Sequence, residues 1–297
     1  MKMGLGTVQL GLEYGIANKS GRPTGEQAMA ILQAACDHGV TVWDTAAAYG
    51  SSEELIGGFC AAGRGADDVM ISTKIRPLHQ TEPSLIPQTV SREITASLHR
   101  LGRRLDFLLF HSAADLLAGG QVTLEAIAPF QEQRLVGRVG VSVYSPEEIR
   151  ACLAFPQLGV IQAPYNVWDR RVLEPSLLAE MKSRDILLHS RSVYLQGLLL
   201  LESEALPPYL SQAKPHLEAF RSLCGELGLT PQQAAFLYVR DQPEIDTFFI
   251  GCETTEQVKE NLHLYSQPPL SPAGRERLEE AFGAMPEELI NPSKWRK

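Results

Sequence analysis

The sequence predicts an α/β protein folded as a (β/α)8 TIM barrel, a single domain over residues 1–297 with its chemistry at the C-terminal ends of the strands. Three observations carry that prediction. Eight short apolar runs alternate with amphipathic stretches that open on helix-start signals. The runs are continuous rather than alternately apolar and polar, the pattern of strands buried on both faces. No Gly/Ser linker, low-complexity stretch or charge run divides the 297 residues, a length that suits one large domain of this kind. An open doubly wound sheet is the rival. It would usually place a three-glycine phosphate fingerprint after its first strand, and here Gly4 and Gly6 are followed by no third glycine at the right offset.

Taken in order, the first run spans 3–10, and Thr24 with Gln27 fits a capping box opening the helix that Gly39 stops. The second run, 41–44, ends in Asp44, and Ser51 with Glu54 opens the next helix. The third, 69–74, ends in Lys74. After it, Val90, Ile94, Leu98 and Leu101 recur at helical spacing and make one buried face before Gly102 ends that helix. The fourth run, 106–111, ends in His111. The fifth, 138–143, carries Ser142, and Ser145 with Glu148 caps the helix behind it, Pro146 sitting where no N–H is needed. The sixth, 159–162, ends in Gln162, and the seventh, 186–190, leads into Arg191. Thr230, Pro231 and Gln233 open a helix before the eighth run, 247–251, and Thr254 with Gln257 opens the one after it. Long connections at 13–23, 77–87 and 192–215 have the length expected of lids or specificity loops.

Composition narrows the function. Hydrophobic residues make up 44%, and 27 Lys+Arg against 35 Asp+Glu give a net charge of −8, which excludes disorder and argues against a nucleic-acid partner. No apolar run approaches the roughly 18 residues of a membrane span, and no apolar signal segment follows Lys2, so no membrane role and a cytoplasmic location are expected. The five cysteines are scattered, with no CxxC pair, as reduced thiols would be. His38, His79, His99, His189, His216 and His263 show no HxH or HExxH spacing, so no metal is expected. Trp295 covers either the barrel or the pocket, and Trp168 faces either substrate or the packing of the barrel.

In a barrel the residues that end the runs converge: Asp44, Lys74, His111, Ser142, Gln162 and Arg191. An Asp, a Lys and a His are costly to bury unless paired. With Tyr49 in the loop after Asp44, a carboxylate, a phenol, an ammonium and an imidazole would line one rim. A phenol is a poor acid at neutral pH, with a reference pKa of about 10. A nearby ammonium lowers that pKa, and a carboxylate keeps the ammonium charged once it is desolvated. Together they would make a tuned proton donor.

At these residues the sequence resembles the aldo-keto reductase superfamily. The resemblance lies in Gly4-Leu5-Gly6-Thr7, Asp44-Thr45-Ala46 with Tyr49-Gly50, Thr73-Lys74 and the segment 108–111. It continues through Gly140-Val141-Ser142, Gln162 with Tyr165-Asn166, Gln196-Gly197 and Glu260-Asn261-Leu262, in order over nearly the whole chain. The resemblance implies an NAD(P)H-dependent oxidoreductase that reduces an aldehyde or ketone to an alcohol, with sugar-like carbonyls among the candidate small-molecule substrates. It implies that Tyr49 is the general acid, that Lys74 lowers its pKa, that Asp44 pairs with Lys74, and that His111 orients the carbonyl. The alternative is a dinucleotide-binding regulatory barrel with little turnover.

The resemblance also assigns a cofactor groove. Gly6 and Thr7 at the first strand, Asp44, and Ser192, Gln196 and Gly251 at the last two strands belong to it. Ser142 and Gln162 would hold the nicotinamide carboxamide, although Val143 stands where the family pattern usually has Asn. Arg191 occupies a position where relatives often stack a Tyr on the nicotinamide, and its charge also suits a phosphate or an acidic substrate. The helix start near Thr254 and Thr255 is a natural anion site. Glu260 and Asn261 match the pair that meets the adenine, while Gln257 is either a phosphate contact or only the capping partner of Thr254. Family habit favours NADP(H) modestly. The segment 251–257 carries no cation and two acids, Glu253 and Glu256, so NAD(H) is also expected to serve.

Overall fold

A computed structural model describes residues 2–78 and 81–295 and shows eight parallel strands closed into a barrel in sequence order. The strands are β1 (Lys2–Gly6), β2 (Val42–Asp44), β3 (Met70–Lys74), β4 (Leu105–Phe110), β5 (Val136–Ser142), β6 (Leu158–Pro164), β7 (Leu187–Arg191) and β8 (Thr247–Gly251). Closure is made by β8 against β1, in register from Lys2↔Thr247 to Gly6↔Gly251. Of the histidines without metal spacing, His79 lies outside the described residues.

The pleat of each strand sends alternate side chains to opposite faces, and this makes two cores. Outward residues such as Trp43, Ile71, Leu108, Ile161 and Phe248 pack with helix residues including Ile31, Ile56, Val90 and Ile94. Inward, Val42, Phe107, Leu109, Val160 and Phe249 fill the barrel. Gly4 leaves room for this plug, since a Cβ there would lie 2.6 Å from the Phe249 ring. Two residues further along the same strands come Asp44, Gln162 and Gly251, on the same inward face but above the plug. Period two therefore places polar residues at the barrel mouth as a direct consequence of filling its floor.

The helix signals hold in most places. Thr24 and Thr230 make complete capping boxes with Gln27 and Gln233, and Pro146 and Pro231 are first helical residues. Gly102 ends the helix Ile86–Leu101 at φ +66°, a conformation that needs glycine. Ser145 and Thr254 accept from the third helical N–H, while Glu148 and Gln257 reach one residue further back, to the N–H groups of Tyr144 and Glu253. Ser51 makes no cap: its backbone at φ −88°, ψ 12° is not extended, and the chain enters that helix through a turn in which the Ser52 N–H donates to Tyr49 O.

The first run is shorter than expected. β1 stops at Gly6, and Val8–Gly11 is a helical turn rather than the rest of a strand. That turn packs closely on the Tyr49 loop, where a Cβ on Gly11 would lie 1.8 Å from Tyr49 O. His111 falls one residue beyond β4 and Arg191 is the last residue of β7. The segment after β7 winds into three short 3-10 helices, Leu195–Leu200, Ser203–Ala205 and Pro208–Ala213. Trp295 joins the outer core and donates from Nε1 to Leu289 O, and Trp168 packs on Phe220 and Phe282, so both serve the packing. Among the described residues no helix is long and apolar enough to cross a membrane.

Candidate active site

Asp44 organises the mouth of the barrel. Its Oδ2 accepts from Lys74 Nζ at 2.6 Å, and its Oδ1 accepts from Ser72 Oγ at 3.1 Å and from Gln162 Nε2 at 2.7 Å. Lys74 Nζ also donates to Thr45 O at 3.0 Å. All four side chains are buried. A desolvated ion pair survives only when its remaining donors and acceptors are satisfied, and Ser72 and Gln162 supply that. Burial pushes the Lys74 pKa down, and the Asp44 carboxylate works against the fall.

The loop carrying Tyr49 is fixed from below. Thr7 Oγ1 donates to Asp44 O, Ser52 Oγ donates to Thr7 Oγ1 at 2.7 Å, and Thr45 Oγ1 donates to Ser52 Oγ. Glu53, fully enclosed, accepts from Thr73 Oγ1 at 2.6 Å and from Arg100 Nε at 2.7 Å, tying the helix after the Tyr49 loop to β3. These contacts hold Tyr49 above the ion pair. Lys74 Nζ lies 5.0 Å from the centre of the Tyr49 ring, and the His111 ring meets it edge-on at 5.9 Å and 88°.

His111 precedes Ser112, which caps the helix Ala113–Glu132 by accepting from the Asp115 N–H. Its Nδ1 is buried with no hydrogen-bond partner. Burial, and then the Lys74 charge, push its pKa down to about 4, so it is neutral at physiological pH. Tyr49 behaves differently from expectation. Burial first, and then the Asp44 carboxylate, raise its phenol well above the usual range, and the opposing cation is Arg191. Without substrate, burial and Asp44 outweigh the cations at the phenol, so the net shift is upward rather than the lowering expected from Lys74 alone. Asp44, 2.6 Å from the ammonium, offsets part of its field there.

Beside these residues runs a cleft. From the assigned set it is lined by Gly6, Thr7, Asp44, Tyr49, Arg191, Ser192, Gln196 and Gly251. Gln9, Tyr14, Tyr194 and Gly197 line it as well, and no strand-end pattern marks them in the sequence. Ser192, Leu195 and Gln196 are left-handed at φ +66°, +48° and +55°. Such non-glycine strain costs about 1 kcal/mol or more per residue and collects at functional sites. The Ile16 N–H donates to Gln196 O at 2.9 Å, which joins the connection after β1 to the one after β7 across the cleft.

Other assigned residues stand behind or beside the wall of the cleft. Ser142, the last residue of β5, sits level with Gln162, two residues short of the end of β6 at Pro164, and Gln162 meets the cleft through Asp44. Gln257 accepts from the Glu253 N–H at 2.8 Å and is held in the helix cap. Asn261 is buried, donating to Cys252 Sγ and accepting from Tyr194 Oη at 3.2 Å, and Glu260 lines a separate groove with Thr230 and Gln232.

Two features fit a nicotinamide dinucleotide. The Oε1 atoms of Gln162 and Gln9 are buried without a partner, and a carboxamide offers the N–H donors such acceptors lack. Gly6, Gly197 and Gly251 line the cleft, so phosphate can approach backbone closely. At Gly197 and Gly251 the place a Cβ would take is filled by Ala17 and by the Gln9 amide.

A family model described as the aldo/keto reductase family matches residues 2–282. The NADH-specific methylglyoxal reductase of Escherichia coli is 24% identical over 255 residues, covering 75% of this chain and 78% of that protein. The L-galactose dehydrogenase of Arabidopsis thaliana is 26% identical over 278 residues, 88% of this chain and 82% of the relative. A holo-form aldo-keto reductase from Bacillus halodurans superposes with a TM-score of 0.74 at 19% identity, over 99% of this chain and 95% of that one, which shows the same fold.

Proposed function

The chain belongs to the aldo/keto reductase family of NAD(P)-dependent oxidoreductases, and from that premise we infer that it reduces a small aldehyde or ketone to an alcohol with Tyr49 as the proton donor. One observation carries the reading: at the mouth of the barrel the Tyr49 phenol stands over the buried Lys74–Asp44 pair with the His111 ring against its edge.

A nicotinamide held in the cleft would supply the hydride. The chain must then deliver one proton to the carbonyl oxygen as negative charge develops there. Tyr49 holds that proton, because burial keeps its phenol in the neutral form until the oxygen becomes basic. His111, uncharged, donates a hydrogen bond that orients the carbonyl without competing as an acid. As Tyr49 Oη loses its proton, the cations of Arg191 and Lys74 stabilise the phenolate, and Asp44, Ser72 and Gln162 keep Lys74 in place. Gln162 and Ser142 would hold the carboxamide, with Gly6, Thr7, Ser192, Gln196 and Gly251 framing the rest of the groove.

Cofactor choice follows the charges of the loop after β8. Gln257 and Glu253 engage each other, and 251–257 carries no cation for a 2′-phosphate. Weak discrimination results, with NADPH modestly favoured by family habit and NADH usable. The E. coli relative's NADH specificity supports NADH use. A carbonyl panel run with NADPH and NADH in parallel tests the reading: carbonyl-dependent oxidation of either cofactor supports it, and oxidation of neither across aldehydes, ketones and oxo acids overturns it.

A further inference from the structure

Arg191 is a cation in the cleft with no counter-charge among the described residues within 4.0 Å. It ends β7 and lines the same cleft as Tyr49 and Tyr14. No carboxylate of the described residues lies within 4.0 Å of its guanidinium, whereas Lys74, the other cation at the mouth, has Asp44 at 2.6 Å. Nor can Asp44 serve both, since its oxygens already accept from Lys74, Ser72 and Gln162. With Lys74 and Asp44 cancelling, the mouth keeps one uncompensated positive charge. A partly desolvated charge in that position costs free energy until an anion joins it.

The guanidinium is also held still. One amino nitrogen donates to Val143 O at 3.0 Å, the other to Ser192 Oγ at 3.3 Å, and the group lies 4.2 Å from the centre of the Tyr144 ring. A guanidinium has five N–H donors in a planar fork. Two are engaged here, and the remainder suit a carboxylate, which such a fork binds in a bidentate manner. The contacts to Val143 and Tyr144 draw the group toward the β5 side of the mouth, away from Gly251 on β8 where backbone can meet a phosphate. Its charge reaches the reacting groups, acting on Tyr49, Tyr14, Lys74 and His111 alike.

We propose that Arg191 binds the carboxylate of the substrate and that the enzyme acts on anionic carbonyl compounds of the 2-oxo acid class. This rests on the carbonyl-reductase reading above. In the reaction the carboxylate is unchanged. The carbonyl π bond breaks, a C–H bond forms with the hydride from the reduced nicotinamide, the Tyr49 proton goes to oxygen, and a 2-hydroxy acid results. Val143 and Tyr144 fix the guanidinium, and the acid group, one bond from the reacting carbon, brings the carbonyl oxygen toward Tyr49 and His111.

Two readouts test the proposal. Oxamate, an unreactive 2-oxo acid analogue, is titrated by calorimetry into the NADPH complex of the native chain, Arg191→Gln and Arg191→Lys. Phenylglyoxylate and its methyl ester, which share the reacting ketone and differ in charge, are compared by kcat/KM. Oxamate binding should weaken about 100-fold in the Gln variant, equivalent to about 2.7 kcal/mol, and less in the Lys variant, which keeps the charge without the fork. The acid-to-neutral ratio of kcat/KM should fall about as far in the Gln variant, whatever happens to the neutral substrate. Oxamate that fails to bind the native chain, or binds all three chains equally, overturns the proposal, as does an unchanged ratio. Reduction of methyl phenylglyoxylate with no Arg191-dependent binding of oxamate would sink the anion site and leave carbonyl reduction standing. Arg191-dependent binding of oxamate with no turnover of any carbonyl would do the reverse.

Discussion

Replacing Lys74 by Met separates what the buried ion pair does for the fold from what it does for chemistry. The substitution keeps most of the side-chain volume but deletes the ammonium 2.6 Å from Asp44 and 3.0 Å from Thr45 O. Breaking a buried pair from one side costs about 3–5 kcal/mol because the other charge is left uncompensated. Asp44 would keep its bonds from Ser72 and Gln162, which argues for the lower end, about 3 kcal/mol. With a urea m-value of about 3 kcal/mol/M, the midpoint should fall by about 1 M. Adding Asp44→Asn removes the stranded charge and should recover most of that loss without restoring activity, since the phenolate formed on Tyr49 still lacks its ammonium. Urea unfolding and kcat, measured on both variants, read the two effects separately. A Lys74→Met chain with the native midpoint would refute the pairing described here. A double variant that recovers turnover along with stability would refute the chemical role of Lys74.

Two further predictions concern pH and cofactor. Burial pushes His111 and His189 each down to about 4, against about 6.5 in an unfolded chain. The unfolded state therefore binds more protons across that window, and stability present above about pH 6.5 is lost as pH falls toward 4, by up to about 1.4 kcal/mol per pH unit for each histidine. Urea midpoints followed through that range should show the slope, His189→Leu should roughly halve it, and a flat native profile would count against both buried histidines. On the cofactor, Kd for NADPH and NADH should differ by less than about 100-fold, a gap of about 2.7 kcal/mol. Glu253→Lys should tighten NADPH more than NADH, and equal effects on the two would place the 2′-phosphate elsewhere.

Much of this site was legible because strand pleating is a rule of period two. Asp44, Lys74, Gln162 and Arg191 could be placed at the mouth from the ends of apolar runs alone, and the Lys74–Asp44 pairing followed from the cost of burying either charge. Ser72 could have been found in the same way, standing two residues before Lys74 on the same strand face. What escaped depends on contacts distant in sequence. Gln162 reaches Asp44 across 118 positions, and nothing near either residue announces it. The overextension of the first strand to residue 10 came from apolar Val8 and Leu10, which continue the hydrophobic run but fold into a turn against the Tyr49 loop. Tyr14 and Tyr144 lie in connections, where side-chain direction is set by neighbours and not by period. The direction of the Tyr49 shift could not be read from residue types, because it depends on how deeply the ring is buried and on which charge Lys74 already neutralises.

The central claim is that Tyr49 delivers the proton, and Tyr49→Phe tests it most directly, since Phe keeps the ring packed against His111 and deletes only the hydroxyl. Single-turnover reduction of the best carbonyl from the panel, paired with a fluorescence titration of cofactor, is the measurement. The reduction rate should fall about 10²–10⁴-fold, the worth of a general acid, with cofactor affinity close to that of the native chain. Undiminished reduction by the Phe variant would contradict it.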